Sequence, residues 1–199
     1  TVTVANSLVS NNNAGLNGGG IYNGGSGTVS VLSSTVSLNT AGLNGGGLYN
    51  VTGTTNVTGS SILNNSAVDG AGIYNDIGGI TTVTNSTLSD NLASNDGGGI
   101  YNADANVTVT NTTISANRAS ISGGGIYNYD DNLTPAIGTV VVTSSTLSTN
   151  TAFLSGGGIF NDEGDITITN GTISTNVALA AGGGVYNDNL GKTPSQQIC

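Results

Sequence analysis

The most constraining feature of this 199-residue chain is a phrase, Gly-Gly-Gly-Ile-Tyr-Asn, that occurs seven times with small changes. The asparagines that close it are Asn23, Asn50, Asn75, Asn102, Asn128, Asn161 and Asn187. Successive copies are therefore 27, 25, 27, 26, 33 and 26 residues apart. A nearly constant interval of this size indicates a repeat architecture, in which each repeat is one unit that stacks on the next.

Each repeat contains three segments that favour β-structure. In the fifth copy, residues 107–110 read Val-Thr-Val-Thr, residues 113–115 read Thr-Ile-Ser, and residues 125–128 read Gly-Ile-Tyr-Asn. Asn-, Ser- and Gly-rich corners separate them, and no window has helical periodicity. We therefore predict an all-β fold, a single-stranded right-handed parallel β-helix of about seven three-strand coils. The coils cover residues 1–187, and at strand spacing the stack is roughly 33 Å tall.

Stacking is what creates a core, because one coil buries almost nothing. Two columns of branched apolar residues are predicted to point inward, and alanine fills a third column in every copy. The first apolar column is Val4, Val31, Val57, Val83, Val109, Val142 and Ile168; the second is Val9, Val36, Ile62, Leu88, Ile114, Leu147 and Ile173. The alanines are Ala14, Ala41, Ala67, Ala93, Ala119, Ala152 and Ala178.

Two further columns consist of asparagine alone. One is the set that closes the glycine phrase, and the other is Asn12, Asn39, Asn65, Asn91, Asn117, Asn150 and Asn176. An amide both donates and accepts, so identical side chains at strand spacing can bond each to the next. We predict two structural ladders. The glycines are assigned to corners with positive φ, and the aromatic residue before each closing Asn is predicted to face outward.

These residues resemble a known repeat. A branched apolar residue, two spacers, Asn, a spacer and Ala, as in residues 114–119, precede Gly-Gly-Gly-Ile in residues 123–126. This pattern is similar to that of bacterial right-handed parallel β-helix surface proteins, such as the polymorphic outer-membrane proteins of chlamydiae and the choice-of-anchor surface proteins. Ile, Leu or Val stands where the chlamydial pattern has Phe, and Gly where Ala usually ends the triplet. The resemblance implies a secreted, cell-surface protein with a structural or adhesive role, and it transfers no catalytic residue.

Acidic residues concentrate in the corner that follows the glycine phrase, which holds eight of the eleven carboxylates. Stacking would align them into a ridge whose mutual repulsion a hard cation would relieve. The candidate calcium ligands are Asp130, Asp131, Asp162, Glu163 and Asp165. The alternative is a solvated corner that keeps the surface soluble. No other cofactor is expected.

Composition limits the partners. The net charge is −9, and Arg118 and Lys192 are the only cations, so nucleic acid is not an expected partner. The sequence has no apolar run long enough to span a membrane. An extracellular or cell-surface location is expected.

The regular repeat fails at two places. The 33-residue step implies a loop insertion at residues 129–138, and residues 188–199 form a tail or the start of a further coil. No amphipathic cap is recognisable, and uncapped solenoids present open strand edges. We expect either coils of a longer solenoid or head-to-tail association into a fibre.

Two other classes of function are alternatives for a chain of this kind. Polysaccharide-degrading or polysaccharide-binding proteins also use β-helices, but this chain has no histidine and its carboxylates lie on a loop edge, so catalysis is not expected. An ice-binding protein is the other alternative, because outward Thr-x-Thr pairs recur. They are Thr82 and Thr84, Thr108 and Thr110, and Thr167 and Thr169, although Ala5 and Leu32 interrupt the array in the first coils.

Overall fold

The computed structural model describes residues 1–131 and 138–188. Most of the predicted insertion, and the tail beyond Asp188 with Lys192, lie outside the described residues. The described part contains 28 β-strands, β1 to β28, and none of it is helical. The strands form four parallel sheets of seven.

The strand bounds show four strands in every coil. The first sheet contains β1 (Val2–Ala5), β5 (Thr28–Leu32), β9 (Thr54–Thr58), β13 (Ile80–Thr84), β17 (Asn106–Thr110), β21 (Thr139–Thr143) and β25 (Asp165–Thr169). The second contains β2 (Leu8–Ser10), β6 (Thr35–Ser37), β10 (Ser61–Leu63), β14 (Thr87–Ser89), β18 (Thr113–Ser115), β22 (Thr146–Ser148) and β26 (Thr172–Ser174). The third contains β3 (Asn13–Ala14), β7 (Thr40–Ala41), β11 (Ser66–Ala67), β15 (Leu92–Ala93), β19 (Arg118–Ala119), β23 (Thr151–Ala152) and β27 (Val177–Ala178). The fourth contains β4 (Ile21–Asn23), β8 (Leu48–Asn50), β12 (Ile73–Asn75), β16 (Ile100–Ala103), β20 (Ile126–Tyr129), β24 (Ile159–Asp162) and β28 (Val185–Asp188).

Each strand pairs with its equivalent one coil away, and the register keeps the columns intact. Val83 pairs with Val57 and Val109, and Tyr101 pairs with Tyr74 and Tyr127. The predicted all-β parallel solenoid of about seven coils is confirmed. The prediction of three strands per coil is wrong, because the alanine column lies on a fourth strand instead of a bare corner. That strand is only two residues long, too short to show a period-two pattern.

The core runs along the axis of the stack. Inner coils bury both predicted apolar columns completely; Val83 and Leu88, for example, are fully buried. A third apolar column from the fourth sheet joins them, as at Ile100. The alanines of the five inner coils are also buried, since the third sheet brings them into a confined position where larger side chains would overpack.

The glycine phrase serves two purposes in the coil. Its first glycine has positive φ in every copy, as at Gly97 (φ 66°), which confirms the predicted corner conformation. The later glycines of the phrase are required for another reason, which is lack of space for a side chain. A Cβ at Gly99 would lie 2.5 Å from the carbonyl oxygen of Gly125 on the next coil, so the close approach of the coils excludes it.

Candidate functional site

The first asparagine ladder is continuous through the stack. The Nδ2 of Asn91 donates to Oδ1 of Asn117 at 2.9 Å and to the carbonyl oxygen of Ile62 at 3.0 Å. The backbone N–H of Asn91 donates to the same Oδ1 at 3.1 Å. Each amide thus bonds to both neighbouring coils. This ladder joins Asn12, Asn39, Asn65, Asn91, Asn117, Asn150 and Asn176.

The second ladder closes the corner after the fourth sheet. Asn102 donates to Oδ1 of Asn128 at 2.8 Å and to the carbonyl oxygen of Ala105 at 2.7 Å. The ladder joins Asn23, Asn50, Asn75, Asn102, Asn128, Asn161 and Asn187. Buried amides are costly unless paired, and no buried polar side-chain atom of the described residues lacks a partner. Both ladders are therefore structural.

A third polar ladder went unnoticed in the sequence. At the corner between the first and second sheets, a backbone N–H donates to the hydroxyl of the next coil, as from Ser60 to Ser86 at 3.1 Å. The hydroxyl of Ser86 donates in turn to the carbonyl oxygen of Thr84 at 2.8 Å. The ladder joins Ser7, Ser34, Ser60, Ser86, Thr112 and Ser145. The sequence does contain a sign of this ladder, because a serine or threonine follows the inward valine of the first sheet at a fixed spacing, as Ser86 follows Val83.

The aromatic column forms one continuous stack. Ring centroids of Tyr22, Tyr49, Tyr74, Tyr101, Tyr127, Phe160 and Tyr186 are 4.8–5.2 Å apart along the coils. The column is predicted to face outward, and within the stack Tyr49, Tyr127 and Phe160 are nevertheless buried. Each inner ring has its two faces covered by neighbouring rings. A sugar ring therefore finds a free aromatic face only at an end of the stack, as at the exposed Tyr22.

Two tyrosine hydroxyls bond to acidic side chains one coil away. Tyr127 donates to Asp162 Oδ2 at 2.8 Å, and Tyr49 donates to Asp76 Oδ2. Burial, reinforced by these carboxylates, raises the pKa of both phenols above the usual value, so they stay protonated as donors. These hydrogen bonds connect the aromatic stack to the acidic side chains of the neighbouring corner.

The candidate calcium ligands do not all meet. Asp130 and Asp131 lie with Asp104, and the carboxylate oxygens of the three are within 4.8 Å of one another. Asp162 instead accepts the Tyr127 hydroxyl, Glu163 occupies a corner with φ 64°, and Asp165 begins β25. Asp104 was not among the predicted ligands, because the insertion after Asn128 disguises which corner residues align. Three carboxylates at this spacing supply the oxygen ligands that calcium prefers.

Burial raises the pKa of Asp104 to about 6, although the backbone N–H of Asp131 opposes the shift and the charges of Asp131 and Asp130 add to it. A carboxyl outside this cluster behaves in the same way. Burial raises the pKa of Asp96 to about 6, while the N–H of Ser122, which donates to it at 2.7 Å, opposes the shift.

The predicted threonine pairs lie on the outer side of the first sheet. Thr82 pairs with Thr108 and Thr84 with Thr110, whereas Val141 separates Thr108 from Thr167. The second position of the pair forms the longer array, since Thr58, Thr84, Thr110, Thr143 and Thr169 are in register on five successive coils. These side chains are half-buried or exposed.

Comparison with known proteins bears on one coil. Residues 85–103 match the family model of the Chlamydia polymorphic membrane protein repeat. This match confirms the resemblance to β-helix repeat surface proteins. The matched repeat includes β14, β15 and β16, the ladder residue Asn91 and the glycines before Ile100, so it is a folding motif. No curated protein and no solved structure matches the chain. Among the described residues, none belongs to a helix capable of crossing a membrane.

Proposed function

We propose that this protein is a non-catalytic, extracellular β-solenoid rod with a structural or adhesive role at the cell surface. The observation that carries the proposal is the polymorphic membrane protein repeat at residues 85–103, in a coil whose strands and ladders recur in the other coils. The residues that recur most strictly are used in stacking. We therefore expect a ligand to bind at outward side chains, whose identity differs from coil to coil.

Surface location is tested by labelling intact cells of the source organism with an antibody raised against the folded chain. Staining without permeabilisation is expected, together with loss of the signal after mild external protease treatment. Signal that is present only after lysis would contradict the proposal.

We also propose that copies of the chain associate end to end through their outer coils. The supporting feature is exposure of core-column side chains there. Val185 is 42% exposed, whereas Ile100 in the same column is fully buried. Sedimentation of the isolated chain over a range of concentrations tests association. Growing filaments are expected if the ends join, and a strictly monomeric chain would exclude the fibre.

Ice binding is a second candidate because of the threonine array at positions 58, 84, 110, 143 and 169. Thermal hysteresis measures it directly. Thr110→Leu is a suitable variant, since Leu32 occupies the same column and the fold accepts it. Hysteresis that is present in the native chain and reduced in the variant would support this role, and its absence in the native chain would dismiss it.

Calcium binding stays a prediction, and we propose Asp104 as a ligand beside Asp130 and Asp131 of the predicted set. Calcium would relieve the repulsion among three carboxylates that lie within 4.8 Å, so we expect it to raise the melting temperature. Asp131→Asn should reduce that shift, while Asp165→Asn, on a strand outside the cluster, serves as the matched control. A melting temperature that is independent of calcium would rule out the site.

A further inference from the structure

An open groove lies along the outer side of the third sheet in the later coils. Its lining includes Leu92, Arg118, Ser120, Thr151, Phe153 and Leu179. Its volume is about 240 Å³. Drug-sized pockets run from roughly 300 to 1,000 Å³, so this groove suits a group of about one ring.

The apolar side chains of this groove are not needed for folding. Phe153 is 60% exposed and Leu179 is 66% exposed. The equivalent positions in the first two coils are Gly15 and Gly42, directly after the alanine of the third sheet. Those coils form the same strands without an apolar side chain there. An exposed aromatic ring, Phe153, beside the exposed Leu92 and Leu179 therefore indicates a contact surface.

Arg118 supplies the charge of the groove. It is the only arginine in a chain of net charge −9, and its side chain is exposed on β19. Within the described residues its guanidinium has no hydrogen-bond or ion-pair partner. A guanidinium binds a carboxylate through two parallel hydrogen bonds, which fixes the position of the ligand as well as its charge. The hydroxyls of Ser120 and Thr151 lie in the same groove and can bond to the hydroxyls of a ligand.

We propose that this groove binds a carboxylate-bearing sugar at the end of a glycan. The carboxylate bonds to Arg118, the C–H face of the sugar ring lies on Phe153, and sugar hydroxyls bond to Ser120 and Thr151. An apolar face, several hydroxyls and one negative charge are the complement of what the groove presents. The inference rests on the proposed adhesive function and names the chemical class of its target.

The first test uses a matched pair of probes, methyl β-glucuronide and methyl β-glucoside, which differ at one carbon in carrying a carboxylate or a hydroxymethyl group. Binding is followed by NMR of phenylalanine-labelled protein, because Phe153 and Phe160 are the only phenylalanines. The Phe153 ring signals should shift with the glucuronide, at a dissociation constant of about 1 mM. The glucoside should bind about tenfold more weakly, since it lacks the charge-assisted bonds.

Two variants use residues that the fold already accepts in these columns. Arg118→Thr copies Thr151, its neighbour in the register, and Phe153→Ser copies Ser120. Arg118→Thr should abolish the preference for the glucuronide. Phe153→Ser removes the reporter ring, so its binding is followed by saturation transfer from the protein to the sugar, and it should weaken the binding of both probes. Equal binding of the two probes by the native chain, an unchanged preference in Arg118→Thr, or shifts confined to the Phe160 signals would overturn the proposal.

Adhesion of protein-coated beads to glycan-bearing cells separates this inference from the proposed function. Native beads that adhere while Arg118→Thr beads do not would support both. If native and variant beads adhere equally, the rod is adhesive but the groove is not its binding site. If no beads adhere while the glucuronide still binds at Phe153, the groove stands and the adhesive role falls.

Discussion

At the scale of single residues, the asparagine amides differ from ordinary surface polar groups because both their donors and acceptors are used. Asn117 Oδ1 accepts two hydrogen bonds from Asn91, and its Nδ2 donates to Leu88 and Asn150. Its side chain is fully buried. Because the side chain is fully buried, bulk water does not reach a neighbouring group that loses its partner.

Asn117→Ala is therefore expected to cost about 1–3 kcal/mol for each buried group left unpaired. Denaturant unfolding measures the loss. Asn106→Thr is the matched control, because Asn106 is exposed on β17 and Thr139 occupies the same column. A native-like unfolding midpoint for Asn117→Ala would show that the hydrogen bonds of the ladder do not stabilise the fold.

The raised pKa values of Asp96 and Asp104 make stability depend on pH. Burial disfavours the charged form, so the cost is absent below the unfolded pKa of about 3.9 and grows as pH rises through about 6. We expect the melting temperature to fall between about pH 4 and pH 7. The double variant Asp96→Asn, Asp104→Asn should flatten this slope, since asparagine keeps the acceptor oxygen without the charge. An equal slope in both proteins would show that other groups are responsible.

At the scale of the strand and corner, each coil places residues other than glycine in the left-handed region. Asn11, Leu38, Asn64, Asp90, Ala116, Thr149 and Thr175 share one corner, with φ of 54–57°. Asparagine accepts this conformation readily, whereas leucine, alanine and threonine do so at a cost. Coils that carry leucine, alanine or threonine at this corner therefore have a strained backbone there, whereas coils that carry asparagine do not.

Leu38→Asn should stabilise the protein by up to about 1 kcal/mol, because it relieves left-handed strain at a side chain that is 54% exposed. Thermal unfolding detects the change. Leu43→Asn removes a similarly exposed leucine that lacks positive φ, and it should bring no gain. Stabilisation by both variants would point to lost surface hydrophobicity instead of relieved strain.

The sequence predicted the elements whose pattern is long enough to repeat visibly. The five-residue strands of the first sheet and both asparagine columns were found because their residues are nearly invariant from coil to coil. The strand at Leu92–Ala93 and the hydroxyl ladder through Ser86 were not. Two residues show no periodicity, and serine and threonine are so common in this chain that a column of them does not stand out. The groove at Arg118 and Phe153 was also missed, because it joins residues from different coils.

At the scale of the whole molecule, the coil is the unit that can be added or removed. Ile80 pairs with Asn106, so both occupy the same position in successive coils of the first sheet. Deletion of residues 81–106 joins Ile80 to Val107 and removes one coil without changing any column. The stability of a solenoid is approximately a sum of repeat and interface terms, so the shortened chain should remain folded but be less stable.

Deletion of residues 81–105 is the decisive control, since it differs by one residue. It shifts the joined strand by one position, which exchanges the inward and outward faces. Circular dichroism and denaturant unfolding should show a folded protein for the first deletion and a disrupted one for the second. Equal unfolding midpoints for the two deletion variants would show that the fold does not depend on keeping equivalent residues in register from coil to coil.

The 33-residue step has a practical consequence. Although the chain between Asn128 and Gly138 is longer than in other coils, Asn128 still donates to both Gly138 and Asn161, and the strands beyond return to register. The same corner in another coil, between Asp76 and Gly79 for instance, should therefore accept a grafted peptide. Successive coils are one strand spacing apart. Peptides grafted at the same corner of neighbouring coils would therefore be held about 4.8 Å from one another in a regular series. Peptides grafted at this corner would therefore be displayed in a fixed order along the rod.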